Sequence, residues 1–439
     1  MKKHIKGMRV FLAFLLLLTA VSCGAKPITM DRAEIVQAMD VAAIPVTPKT
    51  LPDDTASDET AAETKIAPKT SVNTDWITPS QTTAATKKPV ETKSVTVLAV
   101  GDNIIHEAVY KDAQKRAKGT EAEYDFVPMY DPVAAKIAGA DIAFVNQETP
   151  MAGKDMGISG YPTFNSPREA GQALVDVGFD VLNLATNHIL DKRVSGARAT
   201  VEYVQSLPVT ELGCYLDEED ESNLRITEVN GIRIAWLSYC YGSNNPYNAA
   251  KDNVILPLLS DEATMRAQIQ DAATQADFVI VSAHWGTEDQ ASVTSTVKHS
   301  AEVIAEAGAD IIIGHHPHII QNVEWRANKN GTKTLIAYSL GNFLSTQLYS
   351  RNMVGGMFSF TLSKDSNGTC SISNPLFEPT VTHYSSNRDG LQIYMLSDYT
   401  QELAAAHGCL ANSKDFSYDW AVSFVKSIVS KEFLPDYLK

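Results

Sequence analysis

The stretch Ala309-Asp310-Ile311-Ile312-Ile313-Gly314-His315-His316-Pro317-His318-Ile319-Ile320-Gln321 decides how the rest of the chain is read. Three isoleucines in succession fit a short strand buried on both faces. Gly314 is placed to let the backbone turn. Pro317 stiffens the tip by fixing one φ angle and removing a donor. His315, His316 and His318 then stand at the strand's end. Imidazoles clustered on a braced loop are costly as packing and useful as metal ligands.

Outward from this stretch a pattern recurs. A helix ends on a small residue, an acidic residue follows, and an apolar strand begins. It occurs at Gly139-Ala140-Asp141, Gly178-Phe179-Asp180, Gln275-Ala276-Asp277 and Gly308-Ala309-Asp310. The glycines suit positions just past a helix end. Strands are expected at residues 95–100, 142–145, 181–185, 278–283 and 311–313, and helices at 168–177, 195–206, 261–275 and 294–307. Strand and helix in alternation mean an α/β fold with parallel pairing. Hairpins interrupt it around Asn230-Gly231, Asn330-Gly331 and Asp365-Ser366-Asn367-Gly368, so the second half adds antiparallel strands. Helices at 399–405 and 420–430 are expected near the end.

The chain has 439 residues, 44% of them hydrophobic, enough for a substantial core. A net charge of −15 argues against nucleic acid as a partner. Bound metal ions could still create a local positive site. Residues 1–25 read as a targeting segment: Lys2, Lys3, Lys6 and Arg9 precede an apolar run over 10–21. Ala20-Val21-Ser22-Cys23 resembles a bacterial lipobox, in which Cys23 is acylated, with Ala20 where leucine is commonest. Ala-Val-Ser also suits ordinary cleavage after Ser22; both readings imply export. Residues 26–94, rich in Thr, Pro, Ala and Lys, read as a disordered tether that could hold the folded part off the membrane. Residues 95–365 form the principal domain, and 366–439 an extension packed on it, strands first and then helices. Cys214, Cys240, Cys370 and Cys409 lack zinc-knuckle spacing and read mainly as small buried hydrophobes, with three disulfide pairings formally open.

The chemistry stands at the strand ends. The strands lead in turn to Asp102, to Asn146-Gln147-Glu148, to Asn187-His188, to His284-Trp285-Gly286-Thr287-Glu288, to His315-His316-Pro317-His318, and to Ser339-Leu340-Gly341-Asn342. Ligands of open α/β sheets bind beyond the carboxyl ends of the strands. Two carboxylates, an amide oxygen and several imidazoles converging there suit divalent Mn, Fe or Zn. A bridging carboxylate can hold two such ions about 3.5–4 Å apart, an arrangement used in hydrolysis.

In order and spacing these motifs resemble those of the CapA family of capsule-synthesis, poly-γ-glutamate biosynthesis proteins, over roughly residues 95–362. The family is similar in fold to calcineurin-like metallophosphatases. The resemblance implies an α/β/β/α sandwich of two mixed sheets flanked by helices. It implies that Asp102 ligates a first metal, Glu148 bridges, Asn187 and His284 hold a second, and His316 and His318 complete the set. His188 is then the catalytic general acid, provided that a carboxylate supports it. The phosphatases' first motif has a histidine two residues after its aspartate; Ile104 stands there, with His106 out of register, and Glu148 replaces an aspartate. The implied role is support of an anionic capsule polymer at the outer face of the cytoplasmic membrane, with a membrane capsule-synthesis complex as a partner. A non-catalytic surface factor and a general phosphoesterase are the competing readings. His315 is expected beside the ligands or at the surface, and His106, His299, His383 and His407 in packing or surface roles. Trp285 is expected to pack against the site or line a groove. The acidic run over 217–221 is expected to be a solvated loop.

Overall fold

Each acidic residue of the recurring pattern has a mechanical task in the fold. In the computed structural model, which describes residues 91–246 and 253–439, its carboxylate accepts a backbone N–H of the neighbouring strand. Asp141 takes the N–H of Thr96 (2.8 Å), Asp180 that of Ala143 (2.8 Å), Asp277 that of Arg233 (2.9 Å) and Asp310 that of Val279 (2.8 Å). The chain leaves its helix, places an acid against the strand alongside, and enters its own strand in register. Gly178 and Gly308 supply the positive φ angles (101° and 120°) that end two of those helices.

The strands are β1 (Thr92–Asn103), β2 (Ile142–Gln147), β3 (Val181–Asn183), β4 (Thr210–Leu212), β5 (Arg225–Val229), β6 (Ile232–Cys240) and β7 (Phe278–His284). They continue with β8 (Ile311–His315), β9 (Val323–Ala327), β10 (Lys333–Ala337), β11 (Asn342–Leu344), β12 (Val354–Asp365), β13 (Cys370–His383) and β14 (Gln392–Met395). One sheet runs β14-β13-β12-β1-β2-β3-β4, with β11 also on β1; the other runs β5-β6-β7-β8-β10-β9. β1 to β4 are mutually parallel, as are β6, β7, β8 and β10, and the hairpins add antiparallel edges. Asn230 and Gly231 both take positive φ (52° and 71°), as a tight two-residue hairpin requires.

The sheets pack face to face. Phe144 of β2 stacks on Trp236 of β6 across the seam, with ring centroids 5.8 Å apart. Ile311 and Ile313 belong to this inter-sheet core, whereas Ile312 belongs to a second core beneath the helices Glu262–Gln275 and Ser295–Ala307. The isoleucine run is therefore buried on both faces, each side chain contributing roughly 2 kcal/mol of burial.

Several expectations change. Gly314 does not turn the chain: it is still strand, and a Cβ there would lie 2.0 Å from the Tyr338 carbonyl oxygen. The turn is made by His316 and His318 (φ 95° and 57°), on either side of Pro317. The acidic run is no loop. Asp217 caps a short helix, Glu218–Ser222, and Asp220 pairs with Arg225 at 2.6 Å, a cation that offsets the mutual repulsion. The extension over 366–439 is not laid onto a finished domain, because β13 and β14 continue the first sheet and residue 365 lies at a hairpin turn. Cys214, Cys240 and Cys409 are buried, Cys370 is exposed, and all four are free thiols. The targeting segment with Cys23 and nearly all of the tether lie outside the described residues.

Asp310→Ala should lower stability by about 1–3 kcal/mol in urea unfolding, because the buried Val279 N–H loses its acceptor. Asp310→Asn, which keeps an oxygen there, should recover most of the loss. Equal stability of the alanine variant and wild type would contradict the assigned role.

Candidate metal centre

The carboxyl ends of the parallel strands of both sheets meet at one edge of the sandwich. β1 delivers Asp102. The register between β1 and β2 shifts between Val100 and Asp102, and Gly101 at that shift lies so close to Gly341 that a Cβ would sit 1.9 Å from its carbonyl oxygen. The Gly341 carbonyl accepts the Asp102 N–H (2.9 Å), so the Ser339-Leu340-Gly341-Asn342 turn fixes the backbone of the first carboxylate. Asn342 binds Gln347 and the Asn352 carbonyl, as a brace rather than part of the ligand cluster.

Polar side chains reach the same carboxylate from the other sheet. Ser238 of β6 donates to Asn183 Oδ1 (2.6 Å), Asn183 donates to Asn146 Oδ1 (2.6 Å), and Asn146 donates to Asp102 Oδ1 (2.8 Å). This relay crosses the seam and ends on Asp102. On its other side, His318 Nδ1 lies 2.9 Å from Asp102 Oδ2 and His315 Nδ1 lies 3.6 Å from Oδ1. His315 is thus wholly buried beside the first carboxylate, not at the surface.

All the expected ligands come together here. Asp102, Glu148 and His284 offer donor atoms within 4.8 Å of one another, and so do Glu288, His316 and His318. His318 Nε2, 3.5 Å from Glu148 Oε1, links the two groups. Asn187 Oδ1 lies 2.8 Å from His284 Nε2. Carboxylates, imidazoles and an amide oxygen together suit divalent ions of intermediate softness. The donor set also has the deficit that such ions would fill. Both carboxylate oxygens of Glu148, Nδ1 of His284, Nδ1 of His316 and both ring nitrogens of His315 are buried without hydrogen-bond partners among the described residues. Native interiors rarely leave so many polar atoms unsatisfied in one place.

The electrostatics agree. Burial raises the Glu148 carboxyl well above its ordinary pKa. Burial alone would also raise Asp102, but the bond from His318 and the nearby His315 imidazole outweigh it and hold that carboxyl low. Burial would push His318 down; Glu148 and Asp102 on either side instead lift it to about 10. Burial dominates at His316, brought down to about 3, and at His284, also lowered.

His188 stands at the rim, its Nδ1 2.8 Å from Asp191 Oδ2. Asp191 is held in turn by the Phe164 N–H (2.8 Å) and by Asn245 Nδ2 (3.2 Å), while the Phe164 ring meets the imidazole edge-on at 4.8 Å. The sequence reading asked for a carboxylate here without finding it; the three-residue spacing of His188 and Asp191 was the available signal. Tyr241, at the tip of β6, packs its half-exposed ring on His316 at 4.6 Å.

The remaining residues fall outside the cluster. Ile104 is buried, and His106 instead accepts the Thr346 N–H and packs against Phe164. Trp285 is core, its N–H on the Tyr338 carbonyl (2.9 Å). His299 pairs with Glu262 at the surface, and His383 and His407 pack against each other in the C-terminal part.

Comparison with known proteins places this geometry. Residues 96–347 match the family described as bacterial capsule synthesis protein PGA_cap. The chain belongs to that family. It is similar to the PGA biosynthesis protein CapA of Bacillus subtilis (strain 168), 34% identical over 208 residues, covering 47% of this chain and 53% of the relative. It is also similar to the capsule biosynthesis protein CapA of Bacillus anthracis, 31% identical over 209 residues, covering 47% and 49%. It therefore spans about half the length of the curated relatives it matches. Among solved structures it shows likeness to Haemophilus influenzae NAD nucleotidase, with 14% identity, TM-score 0.40, and coverage of 79% and 58%. A putative 5'-nucleotidase from Staphylococcus aureus gives 12% identity, TM-score 0.39, and coverage of 69% and 54%. Those distant likenesses carry no argument here. The two mixed sheets flanked by helices are the architecture that the PGA_cap motifs led us to expect.

A metal-ligating imidazole must be neutral, whereas His318 in the metal-free centre is protonated at neutral pH, since its pKa is raised to about 10. Loading with Mn²⁺ or Zn²⁺ at pH 7 should therefore release at least roughly one proton per chain. Calorimetry in two buffers of different ionisation enthalpy measures that number. Binding with no buffer dependence would contradict the assignment of His318.

Proposed function

We propose that the protein is an exported hydrolase or transferase that acts on an anionic capsule polymer of the poly-γ-glutamate type through a two-metal centre. The observation that carries this reading is the buried Glu148 carboxylate, neither oxygen of which is hydrogen-bonded among the described residues, between Asp102, His284 and His318. In such a place divalent ions would polarise the bond under attack and provide activated water. Asp102, Glu148, Asn187, His284, His316 and His318 would hold them. The ions would also reverse the local sign of a chain with net charge −15, so that a polyanion could approach.

The chain's own proton donor is His188. With Nδ1 committed to Asp191, its Nε2 is the atom that can pass a proton to a leaving group. Asp191 fixes the ring's orientation. Membership of the PGA_cap family and the names of the relatives support a capsule role, and support the polymer class more than a simple phosphoester. The apolar run over 10–21 and Cys23 support export and a lipid anchor at the outer face of the cytoplasmic membrane, where a membrane capsule-synthesis complex would be the natural partner.

The test is turnover of poly-γ-glutamate by the Mn²⁺-loaded chain, followed by size-exclusion chromatography beside an aryl phosphate. Wild type should shorten or transfer the polymer. His188→Ala should reduce the rate about a hundredfold or more, and Asp191→Asn by a smaller factor, both with unchanged metal content. Absence of turnover of either substrate by the metal-loaded wild type would overturn the catalytic reading.

A further inference from the structure

We propose that Glu288 is a metal ligand, completing with His316 and His318 the coordination of one ion in this centre. The inference rests on the reading above that the centre binds divalent ions. Neither the family resemblance nor the residues carried over from it assign Glu288 any role. The resemblance instead leaves a vacancy, because Ile104 occupies the place where a first-motif histidine would help to hold an ion.

Three observations place Glu288 in that role. Its carboxylate and the His316 and His318 ring nitrogens lie within 4.8 Å of one another, a separation that one ion can span. Two imidazoles and one carboxylate are a common protein ligand set for Zn²⁺ and Fe²⁺, leaving positions open for water and substrate. His316 Nδ1, on a side chain 96% buried from its 4% exposure, has no hydrogen-bond partner among the described residues.

Exposed glutamates often lie near histidines without consequence, so the loop that holds this one is informative. It is fastened directly to the histidine loop. Asp289 N donates to the Pro317 carbonyl (3.0 Å). Asn352 Nδ2 bridges Asp289 Oδ1 (2.8 Å) and the His318 carbonyl (3.3 Å). Gln321 Nε2 donates to the Gln290 carbonyl (2.8 Å). Gly286 (φ 94°) and Asp289 (φ 61°) bend the chain sharply on either side of Glu288. A Cβ on Gly286 would approach Pro317 Cγ to 3.3 Å, so the two loops are also in close contact at that point. Glu288 thus sits at a fixed distance from His316 and His318. Such preorganisation makes a carboxylate an effective ligand.

Calorimetric Mn²⁺ titration and elemental analysis of the full chain, comparing wild type with Glu288→Gln, test this. Wild type should take two ions. The variant should keep one at unchanged affinity and bind the other at least tenfold more weakly, or lose it. The metal-free melting temperature should stay the same, since Glu288 is exposed and the variant retains its size. Two ions at unaltered affinity in Glu288→Gln would overturn the role of Glu288 and leave the metal centre standing. No ion in the wild type would overturn both.

Discussion

A carboxylate that receives no hydrogen bond from the described residues, buried at the seam of two sheets, is the constraint on which this structure turns. Glu148 is desolvated, and neither of its oxygens receives a hydrogen bond among the described residues. An ionised carboxylate in that position costs several kcal/mol unless a cation meets it. No lysine or arginine is among the groups whose charge acts on it; the imidazole of His318 and further carboxylates are. The surrounding architecture makes sense as a means of holding that group, Asp102 and the imidazoles in one arrangement until divalent ions supply the missing charge.

The arrangement depends on joining two sheets. The Ser238-Asn183-Asn146-Asp102 relay runs from one sheet to the other, so the orientation of the first carboxylate is coupled to the packing of the sandwich. On the opposite side, His316 and His318 both adopt positive φ. Side chains other than glycine take that conformation at a cost, and such residues cluster where function requires a particular geometry. Here the unusual backbone puts two imidazoles on either side of Pro317 over the centre, and the bonds through Asp289, Asn352 and Gln321 keep it in place.

Much of this was legible in the sequence. The strand tips could be collected one after another, because in parallel sheets the residues after each strand share an edge. On that ground alone Asp102, Glu148, Asn187, His284, His316 and His318 belong at one edge. The acid before each strand was visible as a pattern, but its purpose was not: the N–H it accepts belongs to a strand 31 to 45 residues away. Asn183 and Ser238 read as ordinary strand residues, because a relay across the seam has no local signature. Gly314 was misread for a related reason. A glycine after an apolar run suggests a turn, whereas here it clears space for a carbonyl from β10's end, a contact that only the tertiary structure reveals. The acidic run over 217–221 failed in the opposite direction, since repulsion within the run was weighed without Arg225.

The central claim is that this seam is a two-metal centre, and anomalous scattering from a crystal loaded with Mn²⁺ or Zn²⁺ tests it most directly. The account predicts two peaks, about 3.5–4 Å apart, one among Asp102, Glu148 and His284 and one beside His316, His318 and Glu288. A map without anomalous density at the seam, from protein loaded at neutral pH, would contradict it.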